Sequence, residues 1–221
     1  EHLGFTVSFS SNYLEHDLFD SASIESRVAD LHEAFLDDSV DAILATIGGY
    51  NSNELLPYLD YDLIAKHPKI ICGYSDSTAF LIAIYAKTGI ETYMGPSYSS
   101  FKMKEGQEYQ TRMWLNALTQ DSYDLIPSEE WSSDPWYDPS QPRHFMPTEW
   151  KIYNKGQATG TVIGGNLSTF SLLHGTEFAP QVDEYLLFVE EAEVDDYIEF
   201  TRHLASLLQV YKNPKGLIIG R

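Results

Sequence analysis

Cysteine occurs once in the 221 residues, as Cys72, so an internal disulfide is excluded and the composition fits a reducing compartment. Basic residues are scarce: 14 Lys plus Arg stand against 33 Asp plus Glu, a formal charge of −19. Phosphate backbones and anionic membrane surfaces would be repelled, and no basic stripe compensates. Neither nucleic acid nor membrane is therefore expected as a partner. No apolar run approaches the ~20 residues that span a bilayer. The opening Glu1-His2-Leu3-Gly4-Phe5 has no basic segment ahead of an apolar one, so no signal peptide is expected there. Internal repeats and low-complexity tracts are absent as well. The seven histidines match no metal-ligand spacing such as His-Glu-x-x-His, and the acidic clusters lack the Asp-x-Asp-x-Asp-Gly of a calcium loop, so no metal is expected.

What is present describes a folded chain, 43% apolar and 21% charged, long enough to bury a core without staples. Strand and helix signals alternate over the first ~95 residues. Residues 5–9 read as a strand. Ile24, Val28, Leu31 and Phe35 recur at helical spacing, with Ser21 or Ser23 as N-cap. Residues 41–47 read as a buried strand ending in Gly48-Gly49, and Leu55, Leu56 and Leu59 sit on a short helical stretch. Residues 69–72 form a second buried strand ending in Gly73, 78–87 a helix, and 91–94 a third strand. This alternation predicts an α/β fold with parallel strands, whose ligands gather at the carboxyl ends. That rule singles out the Gly48-Gly49 and Gly73-Tyr74-Ser75 turns. Further along, 105–118 read as helix. Residues 127–150 interleave Pro127, Pro135, Pro139, Pro142 and Pro147 with Trp131, Trp136, Tyr137 and Trp150, which predicts a long ordered loop. Residues 160–163 and 185–190 read as strands, 195–209 as an amphipathic helix and 216–219 as a last strand. Three regions follow: an α/β domain over 1–100, a helix and Pro/Trp-rich loop over 101–155, and a C-terminal domain over 156–221.

Four constellations could carry chemistry. Ile70-Ile71-Cys72-Gly73-Tyr74-Ser75-Asp76-Ser77-Thr78 runs an apolar strand into Gly-x-Ser and then a helix. This is the layout of a nucleophile elbow, with the Asp76 amide aimed at a developing oxyanion. Ser77 replaces the second glycine of that motif, and Ser75, Ser77 or Thr78 could instead simply cap the helix. Gly48-Gly49 could supply a second oxyanion donor or form a plain turn. Asn166, in Gly164-Gly165-Asn166-Leu167-Ser168-Thr169, could bind substrate or cap a helix. Glu190 ends an apolar strand and could orient a catalytic histidine, whereas Glu191, Glu193, Asp195 and Asp196 read as a solvated helix N-terminus. None of the histidines is an evident base: His32, His67 and His203 read as surface residues, His174 as a turn residue, and His144 sits in the aromatic loop. Cys72, inside the strand, reads as a small buried hydrophobe.

Read jointly and in order, Gly48-Gly49-Tyr50-Asn51-Ser52-Asn53-Glu54-Leu55-Leu56-Pro57-Tyr58-Leu59-Asp60-Tyr61, Pro68-Lys69, Gly73-Tyr74-Ser75-Asp76, Lys87-Thr88-Gly89, Gly95-Pro96, Gly164-Gly165-Asn166-Leu167-Ser168-Thr169, Gly175-Thr176 and Phe188-Val189-Glu190 resemble the LD-carboxypeptidase family of serine peptidases. The Asn-Ser-Asn after the double glycine and the Trp-rich loop look closer to its microcin C immunity (MccF-like) branch than to its murein-recycling branch. The resemblance implies a flavodoxin/amidotransferase-like parallel-sheet N-terminal domain, a smaller β-rich C-terminal domain and a site between them. It implies a Ser–Glu–His triad with Ser75 as nucleophile and Glu190 orienting the histidine, and an oxyanion hole from the Gly49 and Asp76 amides. Asn166 and one of Trp131, Trp136 and Trp150 would contact substrate. Members are usually cytoplasmic homodimers without metal or cofactor.

The family histidine follows a strand matched here by residues 216–221, and no histidine of this chain has that context; the first strand and helix of the family also find no match. The sequence therefore reads as part of a longer protein. The expected activity is cleavage of the amide between an acidic amino acid and a modified nucleotide. Alternatives are release of terminal D-alanine from a murein tetrapeptide and a catalytically dead binding protein. Amidotransferase-like relatives would need a nucleophilic cysteine where Ser75 stands.

Overall fold

A computed structural model describes residues 3–138, 140–192 and 197–220. Two three-stranded parallel sheets form its frame, in the orders β1-β2-β3 and β6-β7-β8. The first comprises β1 (Ala42–Leu44), β2 (Ile70–Gly73) and β3 (Tyr93–Met94). The second comprises β6 (Thr161–Asn166), β7 (Tyr185–Glu190) and β8 (Gly216–Ile219). Crossovers are helical in both: α1 (Ile24–Leu36) leads into β1, and α2 (Tyr61–Lys66), α3 (Thr78–Thr88), α4 (Gln107–Thr119), α5 (Leu167–Ser171) and α6 (Tyr197–Val210) follow in order. Parallel strands require such crossovers, which is why the expected α/β pattern extends through both halves.

α3 joins the halves. It is apolar on all sides (Thr78-Ala79-Phe80-Leu81-Ile82-Ala83-Ile84 are all buried), the pattern of a helix covered on every face. Ile71 of β2 and Ile163, Leu187 and Val189 of the second sheet belong to one core with α3, together with Phe170 of α5 and Leu207 of α6. At the start of α3, Thr78 Oγ1 accepts the Asn166 N–H at 3.0 Å. α3 ends at Gly89, whose φ of +75° makes a left-handed C-cap.

Several expectations change. Residues 5–9 form no strand: Phe5 packs edge-on against Trp114 at 5.8 Å and Phe9 against Tyr13 and Tyr98, with no strand partner among the described residues. The strand expected over 41–47 shrinks to Ala42–Leu44 and is only half-buried, because its continuation is engaged by a loop. Tyr98 N–H donates to Ala45 O and Ser99 N–H to Thr46 O. The proline-rich region is not all loop; it holds an antiparallel pair, β4 (Glu130–Trp131) with β5 (Met146–Pro147). Proline is tolerated in β5 because that strand pairs on one side only. Ser23, not Ser21, caps α1, accepting the Ser26 N–H. The helix expected from 195 is described from Tyr197; residues 195 and 196 lie outside the described residues, as do His2, Pro139, Glu193 and Arg221.

Candidate active site

Ser75 sits where β2 ends and a short 3-10 turn, Ser75–Ser77, leads into α3. Its φ of +57° is a left-handed conformation that L-residues adopt at an energetic cost, the kind of backbone strain that a nucleophile elbow would carry. The capping alternative fails here: neither the 3-10 turn nor α3 has a side-chain cap at its N-terminus, and Thr78 Oγ1 is spent on Asn166. Crowding explains the glycines. A Cβ on Gly73 would lie 2.8 Å from Ser77 Cβ and 2.9 Å from Ala45 Cβ, so the turn can close only without a side chain there.

The Gly48-Gly49 turn faces this elbow. A Cβ on Gly48 would come within 3.0 Å of Ser75 Cβ and 4.0 Å of the Asp76 nitrogen, and one on Gly49 within 3.3 Å of Asp76 Oδ2. Asp76, 3% exposed, accepts both the Ser52 N–H (2.9 Å) and the Ser52 O–H (2.6 Å) through Oδ2. Arg27 holds the same segment from the other side, donating to Asn51 O, Asn51 Oδ1 and Glu54. The Asp76 amide, in the first turn of a helical segment, has no intrahelical acceptor to claim it.

β6 and β7 end beside each other, with Asn166 in register with Glu190. Asn166 is buried and caps α5: its Oδ1 accepts Thr169 N–H, Thr169 O–H and Ser168 O–H, and its Nδ2 donates to Glu191 at 2.8 Å. Glu191, expected as a solvated strand end, is instead half-buried and also accepts the Ser168 N–H at 2.9 Å. The free amides at the start of α5 draw the carboxylate inward. Glu190 is different. Burial pushes its carboxyl up from the ordinary value; the Asn166 side chain offsets this in part and the Glu191 charge adds to it. Its Oε1 is buried without a hydrogen-bond partner. A buried carboxyl oxygen left unpaired is costly. Gly220, at the end of β8, lies against it: a Cβ there would meet Glu190 Cβ at 3.1 Å.

The chain matches the LD-carboxypeptidase N-terminal domain over residues 1–95 and the LD-carboxypeptidase C-terminal domain over 159–221. The chain belongs to the LD-carboxypeptidase family. A Bacillus subtilis relative, the putative carboxypeptidase YocD, is 46% identical over 225 residues, covering all of this chain and 69% of its own length. The crystal structure of an MccF-like protein from Bacillus anthracis superposes with a TM-score of 0.96 at 50% identity, covering 100% of this chain and 69% of that one. The Escherichia coli microcin C7 self-immunity protein MccF is 33% identical over 93% of this chain and 63% of its own length. A structure of MccF with aspartyl sulfamoyl adenosine has a TM-score of 0.92 at 32% identity, covering 100% of this chain and 69% of that one. The chain thus spans roughly two thirds of these LD-carboxypeptidase relatives.

Within this family member the elements bring the Gly48-Gly49 turn, Ser75 and Asp76 together directly. They join this elbow to Asn166 through Thr78, and Asn166 to Glu190 through strand register. Trp131 is half-buried in β4, Trp136 packs edge-on to Tyr137 at 5.9 Å, and Trp150 is 64% exposed. Among the described residues, no hydrogen bond or ring contact ties Trp136 or Trp150 to Ser75, Asn166 or Glu190. None of the described histidines bonds to Ser75 or Glu190: His144 pairs with Asp134, His32 accepts the Asp60 N–H, and His174 packs on Phe170 and Tyr211. Cys72 is buried, and burial pushes its thiol up to about 11, which suits an inert core residue. Sequence reasoning gave Ser52 no role of its own, and read Thr78 as a possible helix cap and Glu191 as solvated. Their roles rest on contacts across the chain that no local spacing announces.

Proposed function

We propose that Ser75 is the nucleophile of a serine hydrolase that cleaves an amide, and that the substrate joins an amino acid to a modified nucleotide. The observation that carries this is the strained Ser75 backbone facing the Gly48-Gly49 turn, in a chain whose relative MccF binds aspartyl sulfamoyl adenosine. Ser75 Oγ attacks the scissile carbonyl, and the tetrahedral oxyanion is received by the Gly49 and Asp76 amides. Collapse expels the amine and leaves an acyl-serine, which water then releases. Glu190 orients the imidazolium of a histidine base through its unpaired oxygen. By family resemblance that histidine belongs to the segment following the strand matched by β8, and Gly220 already lies against Glu190. By family resemblance Asn166, whose side chain also caps α5, and one of the loop tryptophans would contact substrate, with an indole stacking on the base.

Relatives named as murein peptide carboxypeptidases support a second substrate, a murein tetrapeptide with terminal D-alanine, and the chemistry would be the same. The test labels the full gene product with a fluorophosphonate, with Ser75→Ala as control, and follows hydrolysis of aspartyl sulfamoyl adenosine and of murein tetrapeptide. Labelling that Ser75→Ala abolishes, with cleavage of the nucleotide conjugate, is the expected result. Cleavage of the tetrapeptide alone moves the assignment to the murein branch, and no labelling of the wild type leaves a binding protein.

A further inference from the structure

The Asp76 carboxylate makes an unusual choice of partner. An acidic side chain at a helix start ordinarily accepts its own helix amides. Here those N-termini carry no side-chain cap, and Asp76 reaches to a residue 24 positions earlier, taking both donors of Ser52. Burying a carboxylate to 3% exposure is unfavourable unless charge-assisted hydrogen bonds compensate. Both compensating bonds come from the one residue, and that residue lies just beyond the Gly48-Gly49 turn. Gly49 itself packs toward the same Oδ2.

We infer that Ser52 is a positioning residue: by gripping the Asp76 carboxylate it sets the Gly49 amide in register with the Asp76 amide, so that the two donors converge on one oxyanion. This rests on the reading of Ser75 as nucleophile. The tie links the two halves of the oxyanion hole through a single residue. Arg27 anchors Asn51 and Glu54 from outside, so the 51–54 segment keeps its place when the Ser52 hydroxyl is removed, and the turn before it, held to Asp76 by the backbone N–H alone, loosens.

The test compares wild type, Ser52→Ala and Ser52→Thr in the full gene product. It measures kcat and KM on aspartyl sulfamoyl adenosine, thermal melting, and amide hydrogen exchange of a peptide covering the Gly48-Gly49 turn. Losing a whole oxyanion donor lowers kcat about 100-fold or more, so a loosened donor should lower it roughly 10-fold. Ser52→Ala is expected to show that fall with KM within about twofold and faster exchange in the turn, and Ser52→Thr, which keeps both donors, to restore each of them. Unchanged exchange in Ser52→Ala, or a kcat within twofold of wild type, overturns the inference. So does a loss of kcat that merely tracks a large drop in melting temperature and that threonine leaves unrescued. If the wild type proves inactive and indistinguishable from Ser75→Ala, the hydrolase reading fails, and the exchange measurement still decides whether Ser52 holds the turn.

Discussion

Replacing Gly165 by alanine tests how the two sheets are joined. Gly165 has φ +138°, and a Cβ there would lie 2.7 Å from Thr78 Oγ1, 2.8 Å from Thr78 Cγ2 and 3.3 Å from Met94 Sδ. Thr78 is 1% exposed, so it has no solvent to retreat into, and its hydroxyl is the acceptor for the Asn166 N–H. Three effects add. The backbone conformation costs an alanine about 1–3 kcal/mol. Overpacking at Thr78 costs about 1–3 kcal/mol. Displacing the hydroxyl from Asn166 costs roughly 1 kcal/mol. Gly165→Ala should therefore destabilise by about 3–7 kcal/mol, a large part of the ~5–15 kcal/mol that holds a typical domain. In a Thr78→Ala background the steric conflict is gone and the Asn166 N–H has already lost its acceptor. Only the backbone strain of about 1–3 kcal/mol should then remain. Urea unfolding followed by tryptophan fluorescence, run as a double-mutant cycle, should give a coupling of about 2–4 kcal/mol. Effects that add to within about 0.5 kcal/mol would refute the account, because independent sites behave that way.

Two more outcomes follow from the site itself. At Ser75, φ is +57°, so the usual order of alanine over glycine should invert: Ser75→Gly should be more stable than Ser75→Ala by about 0.5–1 kcal/mol in the same urea assay, the left-handed penalty of about 1–2 kcal/mol outweighing glycine's entropy. Equal stabilities, or alanine ahead, would mean that the elbow is not strained. At Glu190, burial raises the carboxyl, so the folded chain keeps that proton to higher pH than the unfolded chain does. This contribution is fully present below the unfolded value of about 4.3 and is lost as pH rises through the raised folded value. Measured on the 221-residue chain, the melting-temperature advantage of Glu190→Gln over wild type should grow from about pH 4 toward neutrality. An advantage that stays flat or shrinks would show that Glu190 is not held in a desolvated place.

Both substitutions probe residues that the sequence had already singled out. Ser75 and Glu190 were legible because each ends an apolar strand, and in a parallel α/β sheet the strand ends are where chemistry is displayed. The same periodicity marked β2, α3, β7 and β8 to within a residue or two. Residues 5–9 carry an equally good alternating pattern but form no strand, since hydrogen-bonding partners for their backbone are a property of the neighbourhood and not of the segment. Asn166 left two readings open, capping or substrate contact. The cap is seen only in the fold, where its oxygen meets the amide of Thr169.

The sequence by itself determined the alternation of strands and helices, the turns at which a ligand would be met, and the residue types offered there. Those depend on short-range periodicity and on where glycine interrupts an apolar run. Only the tertiary structure decided which polar groups are spent on holding the site and which are left for chemistry. Asp76 is committed to Ser52, Thr78 to Asn166 and Glu191 to the start of α5, while one oxygen of Glu190 stays buried and unpaired. The reason is that a hydrogen bond's worth is set by burial and by the partner that folding delivers, often from the far end of the chain, and neither is written in the spacing of residues along it.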